Sequence, residues 1–175
     1  MKHKGIALLL LLVLLLCGCE KEPEESIGDE RTVPLDRILE ALKTESVASY
    51  ESAFPPDFCR TYREAYPDMP ETVEALLAAT NVYNHNHYGE DCTVRYELTE
   101  TELCAPTQFA GEYQYNRLDS FSFTIPWVSE AARIHVTVYH TGSFDEVQTE
   151  VVYEVLLIDG TWYLHPMLFG TVLDH

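Results

Sequence analysis

The sequence predicts an α+β fold in which N-terminal helices pack on a curved, mainly antiparallel sheet. Two observations carry this prediction. Up to position 89 the apolar residues recur every three or four positions, as in amphipathic helices, whereas from position 92 they alternate with polar residues, as in half-buried strands. The chain of 175 residues is also 46% apolar, which suits one folded domain and excludes a disordered chain. Helices followed by strands are typical of layered α+β domains.

Four helical segments are predicted before residue 90. Pro55-Pro56 ends the second segment, Pro67 ends the third, and Asp68 caps the fourth, which stops at Gly89. The apolar positions are, in order, Leu35, Ile38, Leu39 and Leu42 in a helix beginning at Pro34, then Val47, Tyr50 and Phe54, then Phe58, Tyr62 and Tyr66, and finally Val73, Leu76, Leu77 and Tyr83.

Five strands are predicted after Gly89, each with one buried face and one solvated face. They cover positions 92–98, 121–127, 134–138, 151–157 and 161–168. Asp159-Gly160 predicts a tight hairpin before the last strand. The stretch at 105–117 is predicted to form a short helix on Phe109 and Tyr113. Because short turns join consecutive strands, we expect an antiparallel meander.

The N-terminus has the pattern of an export signal. Two lysines precede an unbroken run of twelve apolar residues at 6–17, which is shorter than the ~20 residues of a membrane-spanning helix. The junction Leu16-Cys17-Gly18-Cys19 resembles a bacterial lipobox. That resemblance implies cleavage after Gly18 and a diacylglyceryl group on the thiol of Cys19. The alternatives are that Cys17 is used instead, or that the segment is an ordinary signal peptide.

These features divide the chain into a lipoprotein signal peptide at 1–18, a lipid-anchored acidic tether at 19–33 and a folded domain at 34–175. We therefore expect the domain to sit outside the cytoplasm, held to the cell membrane by the lipid on Cys19. The formal net charge of −18 excludes a nucleic-acid-binding protein, since such proteins neutralise phosphates with cations. The acidic excess serves solubility or attracts a cationic partner.

Three cysteines remain in the predicted domain, namely Cys59, Cys92 and Cys104. They allow at most one disulfide, and free thiols are the alternative. A single extended strand over 92–104 would place its ends ~40 Å apart at ~3.3 Å per residue. A bond between Cys92 and Cys104 would therefore require the chain to turn back.

His85 and His87 are the candidates for metal ligation, because imidazole is a common ligand of transition metals. On a strand the two rings would point the same way, with Asp91 nearby. On a helix they would lie ~200° apart and could not share an ion. The fourth helical segment runs toward Gly89 through both residues, so the sequence predicts no metal site and no cofactor.

A family resemblance rests on three stretches of the chain. These are L-x-A-L-K-T-E-S-V-A-S-Y-x-S-A-F-P-P at 39–56, the pair Tyr88-Gly89, and I-D-G-T-W-Y at 158–163. Together with the order of helices and strands, they resemble the cone-shaped fold of the nuclear transport factor two superfamily, and in particular small bacterial lipoproteins that carry this domain behind a lipobox. The resemblance implies a concave pocket between sheet and helices. In related enzymes this pocket holds a general base or an oxyanion-stabilising acid, and in other members it is filled.

Four residues have the types that such a pocket uses, namely Tyr50, Glu97, His135 and Tyr139. His135 and Tyr139 share one face of their strand, opposite the apolar Val136 and Val138, so His135 is expected in solvent. No matched acid–base motif, phosphate loop or nucleophile elbow is present. We therefore expect a membrane-anchored binding module for a small ligand or a protein. The alternatives are an isomerase, dehydratase or hydrolase that uses the pocket, and a structural accessory domain.

Overall fold

The computed structural model describes residues 29–115 and 121–173. Within them, helices precede a four-stranded antiparallel sheet and a two-stranded ribbon, so the predicted α+β class is confirmed. The predicted signal peptide at 1–18, Cys19 and the tether up to position 28 lie outside the described residues. Positions 29–33, which the sequence assigned to the tether, are folded. Asp29 accepts a hydrogen bond from the backbone N–H of Arg31 and thereby starts a 3-10 turn over Glu30–Thr32.

The four predicted helical segments are confirmed. They are α1 at Val33–Thr44, α2 at Val47–Ser52, α3 at Pro56–Ala65 and α4 at Met69–Tyr88. Glu45 ends α1 in a left-handed conformation, with φ of 51°, which reverses the chain direction within one residue. Ser46 then begins α2, because its side chain accepts a hydrogen bond from the backbone N–H of Ser49.

The buried face of α4 includes Val73 and Leu77, as predicted, but not Tyr83. Tyr83 is 51% exposed, whereas Asn84, one position further along the helix, is buried. Residues four or seven positions apart form the buried row: Met69, Val73, Leu77, Asn84 and Tyr88. The side chain of Asp68 makes no capping hydrogen bond, and its backbone carbonyl accepts from the backbone N–H of Thr72 instead. Both His85 and His87 lie within this helix and are exposed, so their helical placement is confirmed.

The strands form two separate sheets. They are β1 at Thr93–Cys104, β2 at Gly111–Tyr115, β3 at Phe121–Ile125, β4 at Glu130–Thr141, β5 at Glu146–Ile158 and β6 at Thr161–Leu164. The main sheet has the order β1-β4-β5-β6, while β2 and β3 pair with each other. The hairpin predicted at Asp159-Gly160 joins β5 to β6, and the positive φ angles of 50° and 77° at these residues are those of a tight turn.

Three predictions about the strands are wrong. The strands do not form one meander, because β1 pairs with β4. The β2–β3 ribbon comes between these two strands in the sequence but forms a sheet of its own. The segment at 105–117 is not a short helix where it is described. It forms a 3-10 turn over Pro106–Gln108 and then β2, in which Tyr113 stacks on Phe123 across the ribbon with ring centroids 5.4 Å apart. The last strand stops at Leu164, since Pro166 starts another 3-10 turn.

Two groups of buried side chains hold the layers together. Aliphatic residues of α1 and α4 cover one face of the main sheet, which we call the inner face and which includes Ile134, Val136 and Val138. Aromatic rings join α3 to the β2–β3 ribbon, and Phe58 lies 5.0 Å from Phe123 in an edge-to-face contact. The remaining rings of this aromatic cluster are Tyr62, Tyr115, Phe121 and Phe169. Packing within this aromatic cluster explains why the ribbon forms a sheet separate from the main sheet.

The end of α4 packs closely against the turn between β4 and β5. The backbone N–H of Phe144 donates to the carbonyl of Tyr88 at 2.9 Å. A Cβ atom on Gly142 would lie only 2.0 Å from that carbonyl oxygen, so the approach requires glycine at this position. Gly89, in its predicted place after the helix, has φ of 110°. The Tyr88-Gly89 pair therefore joins the helical layer to the sheet.

Cys59, Cys92 and Cys104 are all free thiols. Because β1 runs without reversal from Thr93 to Cys104, the chain does not turn back as a bond between Cys92 and Cys104 would require. Cys59 is buried on α3. Among the residues that the structure describes, no helix combines the length and apolar character needed to cross a membrane.

Candidate functional site

The main sheet separates Tyr50 from the other three predicted pocket residues. Tyr50 is fully buried on the helical side, where its hydroxyl accepts a hydrogen bond from the backbone N–H of Gly170 at 3.0 Å. Its ring lies 5.5 Å from Phe54 and 5.2 Å from Phe169. These contacts make Tyr50 part of the core packing.

Glu97 and Tyr139 meet on the opposite, outer face of the sheet. The Tyr139 hydroxyl donates to Glu97 Oε2 at 3.0 Å, and Arg95 donates to Glu97 Oε1 at 2.6 Å. The Arg95 guanidinium also lies 3.8 Å above the Tyr139 ring. Hydrogen bonds from Arg95 and Tyr139 lower the pKa of the Glu97 carboxyl, which therefore stays ionised and paired. Such a carboxylate is a weak general base.

His135 lies on the same outer face as Tyr139, opposite Glu100 on β1 and Val152 on β5. Val136 and Val138 are buried on the inner face, as the sequence predicted. His135 itself is half-buried among its strand neighbours. The four predicted residues thus do not share one cavity.

The space between the helices and the inner face is nearly filled. An inner cavity of about 30 Å³ remains there, with room for little more than ordered water. Ligand pockets usually measure ~300–1,000 Å³. Its walls are Leu35, Ile38, Leu39, Leu42, Thr80, Asn84, Val94, Tyr96, Val138, His140, Tyr153, Val172 and Leu173. Aliphatic side chains from α1 thus occupy the concave side of the sheet.

The titratable groups at the inner cavity are held in their neutral forms. Burial lowers the pKa of His140, whose ring stacks on Tyr88 at 5.1 Å. Burial raises the pKa of Tyr153, and burial together with a hydrogen bond to Asp36 raises the pKa of Tyr96 to about 12. These neutral groups contribute to packing. A cavity of this size has no room for a substrate.

A larger groove opens on the other side of α1, where α2, α3 and β6 meet. It measures about 760 Å³. We call it the arginine groove, because three arginine side chains line it. Its walls are Arg37, Ala48, Glu51, Ser52, Phe54, Pro56, Cys59, Arg60, Arg63, Glu64 and Tyr163. The described residues include seven basic side chains: Arg31, Arg37, Lys43, Arg60, Arg63, Arg95 and Arg133. Three of these seven therefore converge on one groove of an acidic protein.

Arg37 contributes the least neutralised positive charge to this groove. Its guanidinium donates to the backbone carbonyls of Ser52 at 2.7 Å and Trp162 at 3.4 Å. It also lies 5.9 Å from the ring centroid of Tyr163. Among the carboxylates that the structure describes, none forms an ion pair with Arg37. Carbonyl groups thus fix the orientation of this guanidinium without cancelling its charge.

Arg60 and Arg63 lie one helical turn apart on α3. Arg60 contacts Asp57 at 3.1 Å and Glu64 at 3.4 Å, and all three side chains are well exposed. Solvent weakens such pairs, so an incoming anion can replace either carboxylate. Arg63 forms a closer pair with Glu51 at 2.5 Å. Hydrogen bonds to these carboxylates raise the pKa of both guanidinium groups, which stay charged.

Cys59 also contributes to the wall of the arginine groove. Its thiol donates to the carbonyl of Glu51 at 3.5 Å. Burial, with a smaller contribution from the charge of Glu51, raises the pKa of the Cys59 thiol to about 12. Because the thiolate is the nucleophilic form, this cysteine is unreactive at neutral pH. The arginine groove therefore combines guanidinium groups with an apolar surface from Pro56 and has no nucleophile among these groups.

A second groove, of about 320 Å³, adjoins the first. We call it the tryptophan groove, because Trp127 lines it and is 64% exposed. Its walls are Pro55, Pro56, Asp57, Phe58, Thr124, Ile125, Pro126, Trp127, Ile158, Asp159, Thr161, Tyr163 and Pro166. Pro56 and Tyr163 belong to both grooves.

Sequence reasoning did not find either groove. A usable signal was present, since Arg60 and Arg63 are spaced for one face of a helix in a chain with few cations. Arg37 comes from a different helix, and only the packing of α1 beside β6 brings it to the same place. Among the described residues, no group of three or more His, Cys, Asp or Glu side chains is arranged to hold a metal ion.

Comparisons of the chain with protein-family models, with curated proteins and with solved structures gave no match.

Proposed function

We propose that this protein is an extracytoplasmic binding module, anchored to the membrane by a lipid on Cys19, whose arginine groove binds an anionic group of a small ligand or partner protein. The domain behind the tether would be a member of the nuclear transport factor two superfamily. One observation carries the proposal of binding. Three of the seven described basic residues line a groove of about 760 Å³, although the chain has a net charge of −18.

The charges of the groove favour a carboxylate or a phosphate as the bound group. Guanidinium groups match the geometry of both anions with paired hydrogen bonds. Arg37 has no described carboxylate partner, and the pairs of Arg60 are exposed and exchangeable. Elsewhere the acidic surface repels anions. An anionic group is therefore directed to Arg37 and, by replacing a carboxylate, to Arg60, whereas Arg63 is held by Glu51.

An enzyme that uses the space between helices and sheet is the less supported alternative. The inner cavity, at about 30 Å³, is roughly ten times smaller than common ligand pockets. Glu97 and Tyr139, the carboxylate and hydroxyl that such an enzyme would use, bond to each other on the outer face. The small volume and the outward placement both favour binding over catalysis.

Anion binding can be tested by calorimetric titration of the purified full chain, in detergent, with pyrophosphate and with citrate. We expect saturable binding that weakens by about tenfold in the double variant Arg37→Gln, Arg60→Gln. Arg133→Gln is the matched control, because Arg133 pairs with Glu154 and Glu102 on the outer face. Equal affinity in all three proteins would contradict the proposal.

Anchoring can be tested by mass spectrometry of the N-terminus of the mature protein. We expect Cys19 to be the first residue and to carry acyl chains. The variant Cys17→Ser should be modified in the same way, because Gly18-Cys19 is the proposed cleavage site. An unmodified Cys19, or a mature chain that begins elsewhere, would contradict lipid anchoring.

A further inference from the structure

The arginine groove and the tryptophan groove adjoin each other, because two residues line both. Both include Pro56, at the start of α3, and Tyr163, in β6. Their volumes, about 760 and about 320 Å³, together exceed the ~1,000 Å³ upper range of small-molecule pockets. A surface of this size, with charge at one end and rings at the other, suits an elongated ligand better than a single anion.

The walls of the tryptophan groove are rich in proline. Four of its lining residues are prolines, which have no N–H group: Pro55, Pro56, Pro126 and Pro166. A ligand strand would find no backbone donor at these four positions, of which Pro56 and Pro126 are exposed. A polyproline II segment does not need such donors, because its backbone is solvated and carries no internal hydrogen bonds.

Aromatic rings provide the matching surface for proline side chains. Trp127 is 64% exposed, and Tyr163 is half-buried beside it in the lining of the same groove. Aromatic-lined grooves are the usual docking surfaces for polyproline II segments. An indole ring that remains this exposed in the folded domain is available for contact with a ligand.

The charged residues of the grooves determine which proline-containing segment can bind. The adjoining arginine groove is lined by Arg37, Arg60 and Arg63. Acidic side chains next to the prolines would pair with these guanidinium groups, whereas a basic neighbour would be repelled. Four acids also line the two grooves: Glu51 and Glu64 in the arginine groove, and Asp57 and Asp159 in the tryptophan groove. Glu51 pairs with Arg63, whereas Asp57 and Glu64 pair with Arg60, so Arg37 is the groove cation without a described carboxylate partner.

We propose that the two grooves together bind an extended, proline-containing peptide segment with flanking acidic residues. Its proline rings would lie on Trp127 and Tyr163, and its carboxylates would pair with Arg37 and Arg60. This inference rests on the proposed anion-binding function and names the class of its ligand.

The test uses fluorescence anisotropy of a labelled synthetic peptide, a short run of prolines with two glutamates at each end, added to the full chain in detergent. A second peptide replaces the glutamates by glutamines, and a third replaces the prolines by alanines. We expect the first peptide to bind about tenfold more tightly than either of the others. Emission of the exposed Trp127 should also shift to shorter wavelength on binding.

Variants identify the surface that binds. Trp127→Ala should weaken binding of the first peptide by about tenfold. This variant should fold like the wild type, because Trp127 is exposed. Phe144→Ala is the matched control, since Phe144 is an exposed ring, 72% accessible, at the turn between β4 and β5. Circular dichroism of each variant confirms that the fold is intact.

The possible outcomes separate the two proposals. If pyrophosphate binds through Arg37 and Arg60, but proline-to-alanine exchange and Trp127→Ala leave peptide affinity unchanged, the peptide inference is overturned and the anion-binding function stands. If neither pyrophosphate nor any of the peptides binds, both are overturned. If peptide binding depends on Trp127 but is equal for the glutamate and glutamine peptides, the assignment of acidic flanking residues is overturned, and the pyrophosphate titration alone decides the anion-binding function.

Discussion

The inner cavity and the arginine groove are both bounded by α1, yet one is closed and the other open. The inner cavity measures about 30 Å³ because aliphatic side chains from two helices pack against the sheet. The arginine groove measures about 760 Å³ because its walls carry guanidinium groups, whose charged heads stay in water. The concave side of the sheet thus serves the core, and the proposed binding surface lies at the sheet's edge.

The largest effect is expected from enlarging the inner cavity. Ile38 is buried and lines it, so Ile38→Ala should lower the free energy of unfolding by about 2–5 kcal/mol. Urea denaturation measures this change. The same substitution should leave pyrophosphate affinity intact. In the arginine groove, by comparison, Arg60→Gln should leave the midpoint of urea denaturation close to that of the wild type. A small effect of Ile38→Ala would show that the interior is not closely packed.

A smaller loss of stability is expected where α4 meets the turn between β4 and β5. Gly142→Ala would place a Cβ 2.0 Å from the carbonyl oxygen of Tyr88, and the forced backbone shift should cost about 1–3 kcal/mol. Gly160→Ala is the control, because no heavy atom lies within 4 Å of its added Cβ and only its positive φ is unfavourable. Thermal unfolding should rank Gly142→Ala below Gly160→Ala, and the reverse order would contradict this account.

The smallest effect is the pH dependence of the interior. Burial lowers the pKa of His140 below its ordinary 6.5, so below that pH the unfolded chain binds a proton that the folded chain does not. Stability should therefore fall as pH decreases through 6.5 and level off below the folded pKa. His140→Gln should lose less stability than the wild type over this interval in urea titrations, while the exposed His85→Gln should follow the wild type. Parallel curves for His140→Gln and the wild type would refute this assignment.

Much of the helical layer could be predicted because its signals are local. The spacing of Leu35, Ile38 and Leu42, the prolines between segments and the Asp159-Gly160 turn each act over a few residues. The prediction from apolar spacing was wrong at Tyr83 in α4. Tyr83 and Asn84 are neighbours, and the apolar one faces solvent while the polar one is buried beside His140 at the inner cavity. Side-chain type alone did not determine which residue faced the sheet.

The strand partners and the candidate site depended on contacts distant in the chain. Tyr113 belongs to a strand because it stacks on Phe123 of the neighbouring strand. The ribbon is separate from the main sheet because its aromatic rings pack against Phe58 of α3. Arg37 and Arg60 likewise come together only through packing of α1, α3 and β6. By itself, the sequence determined the α+β class, the helix boundaries and the acidic charge, because these follow from neighbouring residues. Only the tertiary structure decided that the interior is filled and that a groove stays open at the edge, because cavity volume depends on side chains far apart in sequence.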